Sequence, residues 1–494
     1  MSRNRIIIVT IGIMLSLFLA SMESTVVGTA APTIVGQLGG LEHYAWLFSA
    51  YMLASTTTVP LYGKLSDLYG RRKVYLVAMT LFLTGSIFSG QAQTMTQLIL
   101  ARALQGIGAG GILPLAFTLI GEMFSLEQRT KMQGVFSGVW GVSSIIGPLL
   151  GGFLVDSLSW HWVFYINIIP GLLAASFVGF GWRDQNVSRE KPAVDYAGAG
   201  LLVTAIVTLL LGLTDELASP LRLGLVLTSL LLFTLLLWVE RRAVDPILPV
   251  ALFRERLFAA TIAHGVLAGA AMFGSISYVP LFVQSVLGTS ATRAGITMSP
   301  MLLGWVTASI IGTRIMLRVG FRQLALLGTS LLTVGAFLMS RITPDIDQRL
   351  LMVFVALMGL GMGFSIPPFL IAVQTVVERR YLGTATSTMQ FSRSMGGTLG
   401  VSIMGAVLTA RLTAELAAAQ LDPSLVSQLL EPGSSSGQAL SAGLRLALTD
   451  AVGSVFAIAC AAASLALLSV FFAPKMELKE QGHGSPSPAP VSVD

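Results

Sequence analysis

Charged side chains are scarce in this chain: Asp, Glu, Lys and Arg make up 11% of its 494 residues, whereas 54% are hydrophobic. A soluble globular domain carries about 25% charged residues. So few charges cannot cover a surface in contact with water, and most of the surface is therefore predicted to face lipid. The formal net charge is +6, but the cations are spread among short loops and form no patch. We expect no nucleic-acid partner and predict a membrane protein.

Groups that form disulfides, bind metals or perform covalent catalysis are also few. Cys460 is the single cysteine, so no disulfide framework or thiol pair is possible within the chain. The four histidines lie far apart in sequence without metal-ligand spacing. An ATP-driven pump needs a Walker-type loop on this chain or on a partner, and the sequence contains none. We expect no enzyme activity, no metal and no cofactor.

Apolar runs long enough to cross a bilayer recur along the chain. The first follows Arg3 and Arg5 and continues to about Val27 without a small-residue cleavage site, so we interpret it as a retained helix rather than a signal peptide. The sequence predicts an all-α polytopic membrane protein with fourteen transmembrane segments. Their predicted spans are 6–28, 44–63, 74–92, 96–120, 134–155, 163–182, 196–213, 221–239, 258–286, 294–316, 322–340, 350–373, 384–409 and 449–472.

The distribution of Lys and Arg predicts the orientation of these segments. If the segments alternate across the bilayer, loops on the amino-terminal side hold 22 of the 30 basic residues and loops on the opposite side hold 6. Loops rich in Lys and Arg stay in the cytoplasm. We therefore predict a multi-pass protein of the plasma (inner) membrane with both termini in the cytoplasm.

A weak internal repeat predicts how the segments are grouped. Gly320 and Arg322 echo Gly70 and Arg72 about 250 residues earlier. Duplicated bundles are common in secondary transporters. The predicted units are a six-helix bundle over 1–190, two inserted helices with a cytoplasmic linker over 191–257, a second six-helix bundle over 258–473 with an external loop at 410–448, and a disordered cytoplasmic tail over 474–494.

The loop between the second and third segments runs from Gly63 to Lys73 and reads Gly-Lys-Leu-Ser-Asp-Leu-Tyr-Gly-Arg-Arg-Lys. It resembles the signature loop between helices two and three of the major facilitator superfamily of secondary transporters. The resemblance implies the major facilitator fold, two six-helix bundles here with two inserted helices. It also implies a gating role for the matching residues Gly63, Asp67, Gly70, Arg71 and Arg72. Glu122, at the cytoplasmic end of segment four, is a candidate for the same gate network.

Two further motifs resemble the fourteen-helix drug/proton antiporter branch of that family. Segment five contains Gly147-Pro148-Leu-Leu-Gly151-Gly152, which resembles the helix-five motif of the antiporters. The alternative is that these residues only kink the helix and permit close packing. The end of segment one resembles the helix-one motif, in which aspartate usually stands at the position of Glu23.

Glu23 in segment one and Arg102 in segment four are candidates for proton coupling. Each lies about 9 Å from the centre of its segment toward the outer face, at 1.5 Å per residue. In the resembled fold both helices line the central cavity, so the two side chains can pair. Arg102 would favour the ionised carboxylate and burial the protonated acid, which would make Glu23 a proton switch. The alternative is a static ion pair that braces the bundle.

Three other ionisable residues are weaker candidates. Asp156, near the outer end of segment five, is either functional or a solvated charge at a helix end. His264 in segment nine is either a proton relay or a buried histidine with its hydrogen bonds satisfied. Arg393 in segment thirteen can contact an anionic ligand or lipid, although glycine-mediated packing explains its neighbours.

We predict a proton-coupled exporter of hydrophobic or amphipathic compounds, a multidrug efflux antiporter driven by the proton motive force. The alternatives are an exporter of a lipid or endogenous metabolite, and a non-transporting receptor or scaffold on the same fold. Predicted partners are a small hydrophobic or amphipathic substrate, protons and membrane lipid, and the chain is expected to be a monomer; a periplasmic partner is left open. Because acids are few in the spans, monovalent cations or neutral lipid-like compounds are the favoured substrates.

Overall fold

The computed structural model describes residues 2–38, 46–184, 195–213, 219–243, 250–289, 291–418 and 442–475. Almost all of these residues are α-helical and none is in a β-strand, so the all-α prediction is confirmed. In chain order the described helices are α1 (Arg3–Leu38), α2 (Trp46–Tyr69), α3 (Arg71–Gly90), α4 (Met95–Met123), α5 (Leu126–Ser157), α6 (Trp162–Tyr165), α7 (Ile168–Gly181), α8 (Tyr196–Gly212), α9 (Ser219–Glu240), α10 (Val250–Arg254), α11 (Arg256–Ser285), α12 (Ala291–Val319), α13 (Phe321–Met339), α14 (Gln348–Val376), α15 (Leu382–Ala418) and α16 (Ala442–Phe472).

Within these residues, eleven helical segments are long and apolar enough to cross a membrane. The short α6 and the following α7 form one of them, over Trp162–Gly181. Helices α2, α5 and α8 occupy the three other predicted spans. The helices therefore fit a count of fourteen, which stays a prediction.

Several helices extend beyond their predicted ends. α1 continues to Leu38, ten residues past the predicted end at 28. α15 continues to Ala418 and α16 begins at Ala442, so the predicted external loop at 410–448 is helical at both of its ends. Hydropathy marks where side chains stop being apolar, whereas α15 continues through Arg411, Ala414 and Glu415, which have good helix propensity. Residues 419–441 of this loop and 476–494 of the predicted tail lie outside the described residues.

The two glycines of the predicted repeat have the same backbone conformation. Gly70 is the single residue between α2 and α3 and has φ 91° and ψ 148°, and Gly320 between α12 and α13 has φ 89° and ψ 145°. Glycine adopts this conformation readily, while a Cβ strains it. Two helix pairs about 250 residues apart therefore turn in the same way. The end of the bundle that contains Gly70 is called the Gly70 end below.

Two bundles, α1–α7 and α11–α16, meet along two pairs of helices. α2 packs against α15, and α5 packs against α12. The inserted helices α8 and α9 pack on each other, and α8 also contacts α2. Leu202 of α8 and Leu236 of α9 share one apolar cluster with Met395 of α15. The inserted pair therefore covers the seam where α2 meets α15.

Gly70→Ala should lower the apparent thermal unfolding midpoint, because alanine at this positive φ costs about 1–3 kcal/mol. The midpoint is measured by size-exclusion chromatography of heated, detergent-solubilised protein. The matched control is Gly138→Ala in α5, where an added Cβ meets nothing within 4 Å. This control should leave the midpoint unchanged or raise it, because alanine favours a helix. An unchanged midpoint for Gly70→Ala would contradict the assigned turn.

Candidate functional site

Asp67, in the last turn of α2, joins the two bundles at the Gly70 end. Its Oδ1 accepts a hydrogen bond from the Gly383 amide at 3.0 Å, and its Oδ2 accepts bonds from the Thr384 amide at 2.7 Å and the Thr384 hydroxyl at 2.6 Å. These amides belong to the first turn of α15, where the helix itself supplies no acceptor. A carboxylate of one bundle therefore caps a helix of the other, and the helix dipole favours this placement. The helices approach so closely that a Cβ on Gly63 would lie 1.9 Å from the Ser387 Oγ.

Arg71, the first residue of α3, links Asp67 to α4. Its Nη1 pairs with Asp67 and donates to the Ser66 hydroxyl at 2.8 Å, and its Nε donates to the Glu122 Oε1 at 2.9 Å. The side chains of Arg71, Asp67 and Glu122 are all less than 10% exposed. Arg379, which precedes α15, lies 3.9 Å from the second oxygen of Glu122. The structure thus brings three predicted gate residues into contact, while their gating role stays a prediction.

Asp184, which the sequence interpretation missed, caps α3 in the same region. Its Oδ1 accepts hydrogen bonds from the Arg71 amide at 2.8 Å, the Arg72 amide at 3.3 Å and the Trp182 indole at 2.8 Å. The side chain of Arg72 itself is exposed. Little in the sequence singled it out, because the same loop also contains Glu190 and Asp195.

Three further hydrogen bonds join the bundles between the Gly70 end and the middle of the helices. The Gln374 carbonyl accepts a hydrogen bond from Arg129 at 3.3 Å, and the Gln374 side chain donates to the Phe117 carbonyl at 3.1 Å. The hydroxyls of Ser137 in α5 and Ser309 in α12 lie 2.6 Å apart. Backbone acceptors and small side chains thus supplement the charged contacts at this end.

Glu23 of α1 and Arg102 of α4 form an ion pair, and each side chain is only 1% exposed. The Arg102 Nε also donates to the Leu47 carbonyl at 3.3 Å. The guanidinium carbon lies 4.3 Å from the centre of the Tyr51 ring, within range of a cation–π contact. The structure therefore brings together the acid and the base that the sequence placed at one depth. Their proton-coupling role stays a prediction.

Three uncharged polar side chains complete a buried network, called here the Glu23 cluster. The Gln105 Oε1 accepts from Arg102, and the Gln105 Nε2 donates to the Ser86 hydroxyl at 2.8 Å. The Asn167 Nδ2 donates to the Glu23 Oε2 at 2.7 Å and to Ser86 at 3.4 Å. The sequence interpretation did not single out these three residues. Gln105 lies three positions after Arg102, on the same helix face, which was a usable signal; Ser86 and Asn167 offered none.

The predicted helix-five motif lies in α5, which continues unbroken from Leu126 to Ser157. Gly147 and Gly151 are buried. A Cβ added at Gly152 would meet nothing within 4 Å, so close packing does not require a glycine there. The side chains of Pro148 and Asp156 lie outside the described part of the structure. Their predicted roles stay predictions.

A cavity of about 290 Å³ lies between the bundles. It is enclosed by α4 and α5 of the first bundle and by α11, α12, α14 and α15 of the second. Its walls are mostly apolar and rich in aromatic rings. The aromatic lining residues are Phe117, Phe136, Trp140, Phe273, Trp305 and Phe369.

His264 and Arg393, two of the weaker candidates, both line this cavity. The His264 Nε2 lies 3.0 Å from the Thr329 hydroxyl, which donates its own proton to the Ala325 carbonyl at 2.8 Å. The hydroxyl has a single proton, so when that proton goes to the Ala325 carbonyl the Nε2 is the donor to Thr329. The imidazole also packs against Phe369, with ring centres 4.9 Å apart. These contacts describe a hydrogen-bonded buried histidine, and a relay role stays a prediction.

The family model described as Major Facilitator Superfamily matches residues 13–401. This chain belongs to the major facilitator superfamily. Its members are membrane transporters rather than enzymes, and the chain is accordingly a multi-pass membrane transporter.

Curated relatives confirm the predicted relationship to multidrug efflux transporters. Multidrug resistance protein 3 of Bacillus subtilis is 41% identical over 413 residues, covering 83% of this chain and 80% of that protein. The multidrug transporter protein MdtP of Bacillus subtilis is 40% identical, covering 83% of this chain and 76% of that protein. The efflux pump aunC of Aspergillus niger is 32% identical over 490 residues, covering 94% of this chain and 92% of that protein.

Solved structures show the same fold. The human organic anion transporter MFSD10 (TETRAN) has a TM-score of 0.63 at 15% identity, covering 96% of this chain and 100% of that chain. The proton:xylose symporter XylE has a TM-score of 0.62 at 14% identity, covering 97% of this chain and 98% of that chain. The predicted major facilitator fold is confirmed, and likeness at these identities shows the fold alone.

Removing one charge of the Glu23–Arg102 pair should destabilise the chain more than removing both. Glu23→Leu and Arg102→Met each leave one charge buried without its partner, at a cost of about 3–5 kcal/mol. The double variant leaves neither charge, so its apparent unfolding midpoint should exceed that of either single variant. The midpoints are compared in detergent by the same heating assay.

The exposed pair Glu127–Lys131 provides the control. Its atoms lie 2.7 Å apart, and its side chains are 67% and 66% exposed. Glu127→Leu, Lys131→Met and the double variant should each change stability by about 1 kcal/mol or less. A Glu23→Leu/Arg102→Met protein no more stable than its weaker single variant would contradict the assigned burial.

Proposed function

We propose that this chain is a proton-coupled antiporter that exports hydrophobic or amphipathic compounds. The observation that carries the proposal is Glu23, a titratable carboxyl that is 1% exposed within a membrane helix and paired with Arg102. Ionisable groups inside a bilayer are costly and serve mainly in ion pathways and binding sites. Proteins similar to this chain include a multidrug resistance protein, a multidrug transporter and an efflux pump, and this similarity supports a drug-like substrate.

The Glu23 cluster provides the proton switch. Ionised Glu23 accepts hydrogen bonds from Arg102 and Asn167, which hold it between α1, α4 and the start of α7. Protonation removes the negative charge that attracts Arg102. The acceptors left to the arginine are then all uncharged: the neutral Glu23 carboxyl, the Gln105 oxygen and the Leu47 carbonyl. A proton therefore changes the relative free energies of conformations in which α1 and α4 are packed differently.

The Gly70 end provides the gate. In this conformation Asp67 caps α15, so the bundles are joined at this end. Within the first bundle, Arg71 is paired with both Asp67 and Glu122 and holds the capping carboxylate in place. Export by alternating access requires the bundles to rock about the cavity and to open each side in turn. The Asp67 cap and the contact between Glu122 and Arg379 cross the seam, and both must then break when the Gly70 end opens. Gly63 permits the close approach of α2 to α15, and Gly70 permits the tight turn between α2 and α3. The positive charge of Arg72 favours the cytoplasmic side of the membrane for this end.

The orientation sets how the proton gradient drives the cycle. We place the chain in the plasma membrane as a monomer with both termini and the Gly70 end in the cytoplasm, supported by the excess of Lys and Arg in the loops of that side. Each proton that enters the cell then contributes about 2.3 kcal/mol per 100 mV of membrane potential. The proton motive force supplies the energy, and the mechanism uses no cofactor.

Glu23→Gln should abolish export driven by a proton gradient, because glutamine keeps the size and hydrogen bonding of the side chain but cannot release a proton. Glu23→Asp should retain part of the activity, since the carboxyl remains at shorter reach. Export is measured in inverted vesicles from a strain that lacks its own pumps, using a substrate chosen from a panel of drugs, lipids and metabolites, with and without an uncoupler.

Glu127→Gln is the matched control for this assay, because Glu127 is an exposed acid far from the cluster. It should export at the wild-type rate. Uncoupler-sensitive export at the wild-type rate by Glu23→Gln would remove Glu23 from the mechanism. Binding by the wild-type chain without uncoupler-sensitive flux would instead favour a receptor or scaffold.

A disulfide between positions 137 and 309 should block export by holding the Gly70 end closed. The two serine hydroxyls lie 2.6 Å apart across the seam, so cysteines at these positions are close enough to be oxidised together. Ser137→Cys/Ser309→Cys is made in a Cys460→Ala background. Oxidation should stop export and reduction should restore it.

The two single cysteine variants, treated with the same oxidant, serve as controls and should export at unchanged rates. Continued export by the cross-linked double variant would show that α5 and α12 need not separate here, which would contradict rocking of the bundles at this seam.

A further inference from the structure

The cavity between the bundles contains a permanent positive charge and no acid among its described lining residues. Arg393 of α15 and His264 of α11 are its ionisable lining groups. The cavity carboxylate that would attract a cation is therefore missing from the described lining. Glu23 is no substitute, because it lies in the buried cluster with Arg102 and does not line the cavity.

Among the described residues Arg393 has no counter-ion, whereas Arg102 is paired with Glu23. Its Nη2 donates to the Gln390 Oε1 at 2.9 Å, while its Nε is buried without a hydrogen-bond partner. Its guanidinium carbon lies 6.0 Å from the centre of the Trp305 ring. Within the described ranges no carboxylate forms a salt bridge with it. A guanidinium has five N–H donors, so most of its hydrogen-bonding capacity is not used by the described residues, and Arg393 itself lines the cavity.

An uncompensated charge in the membrane interior is costly, and an anionic ligand removes that cost. A guanidinium binds planar oxyanions with two parallel hydrogen bonds, and neighbouring donors strengthen the site. The aromatic rings of Trp140, Trp305 and Phe273 supply apolar walls beside the charge. The arrangement matches a molecule with a flat apolar body and one acidic group.

We propose that the cavity binds amphipathic anions, with Arg393 holding a carboxylate, sulfonate or phosphate group and the aromatic walls holding the apolar body. The proposal rests on the proposed function, because it names the substrate class of the same exporter. A cavity of about 290 Å³ fits a compact body of one or two rings. This proposal replaces the expectation of cationic or neutral substrates. That expectation rested on the small number of acids in the spans and did not consider which charges face the cavity.

The test uses three probes that share one apolar body and differ in charge: naphthoate, naphthamide and naphthylmethylammonium. Binding to the purified full chain is measured at equilibrium by quenching of tryptophan fluorescence and by calorimetry, without a proton gradient. Wild-type protein should bind naphthoate at least about tenfold more tightly than either other probe, as expected for one charge-assisted contact.

Arg393→Gln should weaken naphthoate binding by about tenfold or more while changing naphthamide binding by about twofold or less. Arg393→Lys keeps the charge without the planar fork, so its affinity for naphthoate should lie between those of the wild type and Arg393→Gln. Arg411→Gln, an exposed position in the same helix, is the matched control and should bind all three probes like the wild type. Chromatography of each variant checks that it folds.

A purely structural role for Arg393 would weaken the three probes equally and would overturn the proposal. Tighter binding of naphthylmethylammonium than of naphthoate by the wild type would overturn it as well, and so would no naphthoate binding at millimolar concentration. Because these measurements need no gradient, they do not depend on proton coupling. If Glu23→Gln loses export but the wild type binds the three probes equally, proton-coupled export is supported and the anionic substrate class is rejected. If the wild type binds naphthoate selectively but shows no coupled export, the substrate class is supported and proton-coupled export is rejected.

Discussion

The ion pair between Glu23 and Arg102 is the interaction on which the first bundle depends. Two charges sit in a membrane interior, where either one alone is strongly unfavourable, so each fixes the position of the other. Asn167 and Gln105 satisfy further atoms of the pair and extend it to Ser86. The network therefore ties α1, α3, α4 and the start of α7 together through one titratable carboxyl. A change in the protonation of that carboxyl acts on four helices at once.

Helix α4 connects this cluster with the gate. It holds Arg102 in the cluster, Phe117 at the cavity wall and Glu122 in contact with Arg71. Twenty residues separate Arg102 from Glu122, about 30 Å along a helix at 1.5 Å per residue. In the proposed cycle, a helix that contacts all three regions can move them together, without a chain of separate side-chain rearrangements. This connection is spatial. The coupling free energy between the cluster and the Gly70 end depends on the contacts that each end of α4 makes in the two conformations of the proposed cycle.

The sequence predicted those parts of the site that depend on a repeating or a rare signal. Hydropathy located the spans, and the rarity of charge within them singled out Glu23, Arg102 and Arg393. It did not predict that Asp67 caps α15, because its partner Thr384 lies 317 positions away and is recognised through a backbone amide. The cap that Asp184 forms on α3 was not predicted for the same reason, because its partners there are the backbone amides of Arg71 and Arg72. Every residue except proline has the same backbone N–H donor, so residue types do not show which amides donate to a capping carboxylate. Such contacts are seen only once the packing of the helices is known.

In the proposed exchange, the charge of the exported substrate determines which part of the proton motive force can be used. One proton entering in exchange for one leaving cation moves no net charge, so the membrane potential contributes nothing. One proton entering in exchange for one leaving anion moves two positive charges inward, about 4.6 kcal/mol at 100 mV. An arginine in the cavity and a carboxyl outside it would thus let the potential drive both halves of the exchange. The separation of Arg393 from the Glu23 cluster also keeps substrate and proton from competing for one group, so their coupling must pass through the movement of the helices.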